Sequence, residues 1–201
     1  RFSLKAVSSK GGTEGAAEKS STDSQAGTEG TTEKSSTDSQ TGNASAPDRF
    51  PAPPALPIRP PVLCAGCPHR ASFYAVKRAM QGKKTIFCGD IGCYTLGNAM
   101  PLDMCDTCLC MGAGINIAQG VKHIEPDTSA FAFVGDSTFF ASAITGIVNA
   151  VYNQAEMTVV ILDNSTTAMT GHQPHPGTGR TMMGDVVAKI NIEKVLRGIG
   201  I

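Results

Sequence analysis

The chain has 201 residues, a length that suits one domain plus extra sequence, and 41% of its side chains are apolar. Its 17 basic and 17 acidic residues cancel, so charge selects no nucleic acid, anionic membrane surface or strongly acidic partner. Apolar runs break well before the roughly 20 positions a membrane-spanning helix requires, and no signal peptide opens the chain, so a soluble, cytoplasmic protein is expected.

Residues 8–48 hold almost no large apolar side chains and are expected to be disordered. Within them, Gly12 to Ala26 recurs with few changes as Gly27 to Thr41, a duplicated linker with no apolar face by which copies could stack. Pro51, Pro53, Pro54, Pro57, Pro60 and Pro61 favour an extended approach to the fold, which is expected to start near Val62. The domain reading is therefore a linker over 1–61 and a folded domain over 62–201. Arg1 and the apolar tail Gly198-Ile199-Gly200-Ile201 look like cut ends, the tail being expected to lead into another strand.

Phe73, Val76, Ala79 and Met80 are spaced for a helix over 69–80, and Lys84 to Cys88 reads as a short buried strand. The Gly-rich sequence from Cys110 leads into a helix that ends near His123. The runs Ala130–Val134 (AFAFV) and Thr158–Leu162 (TVVIL) read as strands, and Phe139 to Tyr152 between them reads as a helix. Strands alternating with helices predict an α/β fold with a parallel sheet flanked by helices, and ligands at the carboxyl ends of its strands.

Gly135-Asp136-Ser137 follows AFAFV directly, and Asp163-Asn164 ends TVVIL, with residues 138–162 between. Gly135 lets the backbone approach a phosphate, Asp136 supplies a hard carboxylate, and Asn164 an amide oxygen, a set suited to Mg²⁺ held against a diphosphate. The helix after Asp136 adds its first N–H groups to such an anion site. Asp and Asn also cap helices and form turns at strand ends, so both uses are open at this point. His172 and His175, in the Gly-rich loop beyond, read as exposed or locally hydrogen-bonded loop histidines rather than catalytic ones.

All seven Cys lie between Cys64 and Cys110, an odd, clustered set that argues against a secreted disulfide scaffold and fits a reducing cytoplasm. Cys64 and Cys67, two residues apart at a helix start, suit a shared zinc ion or iron–sulfur cluster, and spacing does not separate the two. Cys88 reads as a small buried side chain. Cys105, Cys108 and Cys110 either complete a cluster or serve a different site.

The block from Gly135 to Gly179 closely resembles the thiamine-diphosphate region of indolepyruvate ferredoxin oxidoreductases, within the 2-oxoacid:ferredoxin oxidoreductase family, and the resemblance extends from Val62 to Ile201. It implies Asp136, the Asn164 side chain and the Thr166 carbonyl as Mg²⁺ ligands, with Gly135 and Ser137 lining the diphosphate; Ser137 departs from the Gly more usual there. It implies Cys93, in Gly89-Asp90-Ile91-Gly92-Cys93, as a third ligand beside Cys64 and Cys67 of a [4Fe–4S] cluster. The activity implied is oxidative decarboxylation of an arylpyruvate such as indolepyruvate, with electrons passing to ferredoxin and the acyl group to coenzyme A. A smaller beta subunit and a pyrimidine-binding domain are implied elsewhere, so this portion alone is expected to be inactive. Two rivals stay open: a non-oxidative thiamine-diphosphate decarboxylase or carboligase, and a zinc-stapled module without catalysis.

Overall fold

The computed structural model describes residues 3–8, as backbone, and 56–201. The duplicated linker and the first prolines of the Pro-rich run lie outside the described residues. In chain order the elements are β1 (Ser3–Ser8), α1 (Pro68–Ala79), β2 (Thr85–Cys88), a 3₁₀ turn (Cys93–Asn98) and α2 (Ala113–Ile124). They continue as β3 (Ser129–Gly135), α3 (Asp136–Thr138), a π-helical turn (Phe139–Ala143), α4 (Ile144–Tyr152), β4 (Thr158–Asp163) and α5 (Ile192–Ile199).

Strands β2, β3 and β4 form the expected parallel sheet, with Thr85 opposite Ser129 and Gly135 opposite Leu162. The sheet order is β1-β4-β3-β2, and β1 adds an antiparallel edge strand, Ser3 pairing with Asp163. This strand falls inside the stretch that the sequence assigned to linker.

Alternation along the strands sends side chains to two cores. Ala130, Ala132 and Val134 of β3 join Val159 and Ile161 of β4 on the face covered by Ile115, Phe139, Ile147 and Leu196. Phe133, Val160 and Leu162 face the other way, onto Phe73, Val76, Tyr94 and Met104. There the rings of Phe73 and Phe133 pack with centroids 4.8 Å apart. Each is 1% exposed, and burying such a side chain contributes roughly 1.5–3 kcal/mol.

Pro68 opens α1 at a position where its missing N–H costs nothing, and Lys77 and Arg78 complement the helix dipole in the last turn. The C-terminal tail begins as a helix. Ile192 to Ile199 is a helix, capped by the Asn191 side chain, which accepts the Lys194 N–H at 3.0 Å, and braced by a Glu193–Arg197 pair. Gly198 and Ile199 thus finish α5, and Gly200 at φ 100° ends it as a left-handed cap.

Candidate functional site

The parallel pairing of β3 and β4 brings the chain ends of both strands to one side of the sheet, where ligands of α/β sheets bind. A cleft with a cavity volume of ≈ 60 Å³ opens there, lined among others by Gly135, Asp136, Ser137, Asn164, Thr166 and Cys93. The five residues assigned to diphosphate and metal therefore converge, although Asn164 and Thr166 lie far from Asp136 in sequence.

Asp136 is 2% exposed at the start of the helical stretch that follows β3. Its Oδ1 accepts the Ser137 N–H at 2.7 Å. Its Oδ2 is buried and makes no hydrogen bond of good geometry. Burial pushes this carboxyl above the ordinary range, opposed by the neighbouring His175 ring and by the Ser137 N–H, with Asp163 adding to the rise. Asn164 Oδ1 accepts the Thr166 N–H at 3.2 Å, and Asp163 Oδ1 accepts the Ser165 N–H at 3.0 Å, so two successive side-chain turns shape the loop after β4. Thr167 closes the loop onto the helix by donating from Oγ1 to Ser137 Oγ at 2.9 Å. The capping and turn-forming uses of Asp and Asn are thus present, and the bonds to Asp136 Oδ1 and to Asn164 Oδ1 each take one lone pair of the oxygen involved. A buried carboxylate oxygen without a hydrogen bond of good geometry, an amide oxygen with a spare lone pair and a loop carbonyl fit a hard divalent cation.

Gly135 has an ordinary φ of −76°, so backbone conformation does not demand glycine. The demand is spatial: a Cβ at this position would lie 2.6 Å from Tyr94 Cε1. Tyr94 occupies that space because its hydroxyl hydrogen-bonds Asp90 Oδ2 at 3.1 Å and lies 3.3 Å from Thr138 Oγ1. The other Asp90 oxygen accepts the Gly112 N–H at 2.9 Å. Burial raises both the Asp90 carboxyl and the Tyr94 hydroxyl above their ordinary values. This network ties the Cys93 turn, the start of α2 and the helix after Asp136 to one another, and sequence offered no periodic signal for it.

His172 matches its expectation: it is exposed, at φ 60°, with Nδ1 3.4 Å from Thr166 Oγ1. His175 does not stay at the surface. It is 9% exposed, stacks on Phe140 with centroids 5.9 Å apart, and its Nδ1 accepts the Gly177 N–H at 3.1 Å. An accepting Nδ1 assigns the ring proton to Nε2, which faces Asp136 Oδ2 at 3.2 Å. The separation is that of an ion pair, while the angles fall short of a hydrogen bond at either atom.

Cys93 lines the cleft, and Cys67 caps α1. Cys64 is exposed, while Cys67 and Cys93 are half-buried. Burial raises the Cys93 thiol, with further upward pressure from Cys67 and Cys64. Yet among the described residues no group of three His, Cys, Asp or Glu side chains is close enough to hold a metal ion. As arranged, these thiols do not form a closed cluster site. Cys88 is fully buried, as expected.

Residues 90–201 match the model described as thiamine pyrophosphate enzyme, C-terminal TPP binding domain. The chain is 49% identical over 146 residues to indolepyruvate oxidoreductase subunit IorA of Archaeoglobus fulgidus, covering 72% of this chain and 23% of that protein. It is 46% identical over 153 residues to the subunit of the same name from Methanothermobacter thermautotrophicus, covering 74% and 25%. It thus spans about a quarter of the length of these curated relatives. Among solved structures, the fold is similar to 2-oxoglutarate:ferredoxin oxidoreductase from Magnetococcus marinus, whose structure holds 2-oxoglutarate, coenzyme A and succinyl-CoA. The TM-score is 0.57 at 23% identity, over 69% of this chain and 52% of that one. No described helix is long and apolar enough to cross a membrane. With the sheet, the cleft and more than half of its length in agreement, the chain belongs to the thiamine pyrophosphate enzyme family, through its C-terminal TPP-binding domain.

Proposed function

We propose that this domain holds the diphosphate end of thiamine diphosphate through Mg²⁺, in a 2-oxoacid:ferredoxin oxidoreductase that acts on arylpyruvates such as indolepyruvate. The carrying observation is the convergence of Asp136, whose buried Oδ2 accepts no hydrogen bond of good geometry and faces the His175 ring at 3.2 Å, and Asn164 at the ends of adjacent parallel strands. Asp136, the Asn164 side chain and the Thr166 carbonyl are the metal ligands in this reading, and Gly135 and Ser137 face the diphosphate. Thiamine diphosphate, when bound, supplies the carbanion chemistry that detaches the carboxylate of a 2-oxoacid. The chain's own part is to fix that cofactor, so that little entropy remains to be lost in the reacting complex. His175 holds a proton at Nε2 against Asp136 and keeps the carboxylate aimed into the cleft. Met111 and Met169 add apolar surface to the lining of the cleft.

The names of the curated relatives support indolepyruvate as substrate and an enzyme of more than one subunit; ferredoxin as electron acceptor, coenzyme A as acyl acceptor and a smaller beta subunit as partner complete this reading. Cys64, Cys67 and Cys93 are the candidate thiolates for a [4Fe–4S] cluster, which requires their side chains to close up. A non-oxidative decarboxylase or carboligase is the second reading, favoured by the open arrangement of those thiols.

The test uses the complete subunit with its partner, purified without oxygen and supplied with thiamine diphosphate, Mg²⁺ and coenzyme A. Bleaching of a brown chromophore on adding indolepyruvate supports the oxidoreductase. A colourless protein that still releases CO₂ moves the assignment to the non-oxidative enzyme.

A further inference from the structure

Two loops wall an open groove beside the loop that follows β4. Thr167 and Gln173 close the first by an antiparallel bridge, the Thr167 N–H donating to the Gln173 carbonyl at 3.2 Å and the His172 N–H to the Thr167 carbonyl at 3.0 Å. Arg180 and Val186 close the second, where the Thr181 N–H donates to the Asp185 carbonyl at 3.0 Å and the Val187 N–H to the Gly179 carbonyl at 3.1 Å. The groove has a cavity volume of ≈ 400 Å³, against ≈ 60 Å³ for the cleft at Asp136. It therefore has the size of small-molecule sites, roughly 300–1,000 Å³, which the cleft lacks. Thr166 lines both, so the groove adjoins the loop assigned to the metal in the proposed function.

The lining suits negative charge. It includes Arg180, His172 and Gln173, and no acidic residue among the described residues lines it. Arg180 Nη1 donates one of the five guanidinium N–H groups to the Gly184 carbonyl at 3.2 Å. Among the described residues, no carboxylate lies within ion-pair distance of Arg180. Asp185, the acid of the same loop, accepts the Thr181 hydroxyl at 3.4 Å and does not line the groove. Gln173, whose oxygen accepts the Thr170 hydroxyl, keeps its amide N–H groups as further donors.

We propose that this groove binds the oxyanion of a reactant, a carboxylate or a phosphate, with Arg180 as its counter-ion. The inference rests on the proposed function for what the reactants are: a 2-oxoacid carries a carboxylate, and coenzyme A carries phosphate. The planar guanidinium meets either group through paired, charge-assisted hydrogen bonds. Groove and cleft share only Thr166 among their lining residues, so this anion and the cofactor diphosphate do not compete for the same donors.

The experiment is calorimetric titration of inorganic phosphate, and separately of indole-3-acetate, into the complete subunit with its partner, with thiamine diphosphate and Mg²⁺ saturating. Unaltered protein, Arg180→Met and Arg180→Lys are compared. Binding of at least one probe is expected, weakened about tenfold in Arg180→Met and partly kept in Arg180→Lys, which retains the charge but not the fork. Weakening for phosphate alone assigns the groove to the phosphate-bearing co-substrate, and weakening for indole-3-acetate alone assigns it to the 2-oxoacid. Failure of the unaltered protein to bind either probe, or equal binding in all three proteins, overturns the proposal. Indolepyruvate oxidation by the same unaltered preparation reports on the proposed function separately: Arg180-dependent binding without that activity keeps the groove and removes the function, and activity without Arg180-dependent binding does the reverse.

Discussion

His175 Nε2 lies 3.2 Å from Asp136 Oδ2, and both side chains are at most 5% exposed. The ring is fixed from its far side by the Gly177 N–H and from its face by Phe140, so it acts as a buttress for the carboxylate. Partners of this kind around a metal ligand typically matter 10–100-fold in metal affinity. His175→Phe should therefore weaken Mg²⁺ binding at saturating thiamine diphosphate by about 10–100-fold, and His175→Gln, which keeps an N–H donor, should restore much of it. Calorimetric titration of Mg²⁺ reads this without reference to turnover. Equal affinity in all three proteins would remove His175 from the site.

Gly135 and Tyr94 compete for one volume, since a Cβ on Gly135 would meet the ring at 2.6 Å. Gly135→Ala should cost about 1–3 kcal/mol through overpacking. In a background where Tyr94→Ala has already removed the ring, the same change should cost much less, a coupling of about 0.5–3 kcal/mol. Urea unfolding of the four proteins of this cycle measures it, and strictly additive effects would mean that Gly135 is required by the backbone or the ligand alone.

Burial raises the Asp90 carboxyl above its ordinary value, so between the unfolded and folded values the native state binds more protons than the unfolded chain. Stability attributable to this group is therefore highest below the ordinary carboxylate range and falls as pH rises through it towards the raised folded value. Asp136, raised by the same cause, adds a slope of the same sign. Asp90→Asn should flatten part of this decline while keeping an oxygen for the Gly112 N–H. Unfolding midpoints from mildly acidic to neutral pH provide the comparison, and a variant whose slope equals that of the unaltered protein would contradict the assignment.

The parts of the fold that sequence revealed are those built on short-range periodicity. The runs AFAFV and TVVIL became β3 and β4 because their alternation matches a sheet buried on both faces, and Asp136 and Asn164 then had to meet at the strand ends. Features set by long-range packing stayed hidden. His175 sits in an irregular loop whose path back to Asp136 no local pattern encodes. The Asp90–Tyr94–Thr138 network joins three separate segments, and the need for glycine at 135 is visible only once Tyr94 is in place. Helix α5 was not read from the sequence because the signals that set it, Asn191 as cap and Glu193 with Arg197, lie just before the apolar-rich tail.

The most direct test of the metal-bridged cofactor site is calorimetric titration of thiamine diphosphate into the complete subunit, with Mg²⁺ present and with Mg²⁺ chelated, for the unaltered protein, Asp136→Ala and Asn164→Ala. Binding should require Mg²⁺, disappear in Asp136→Ala and weaken strongly in Asn164→Ala. Unchanged affinity after chelation, or in Asp136→Ala, would contradict a cofactor held through a metal at the ends of β3 and β4.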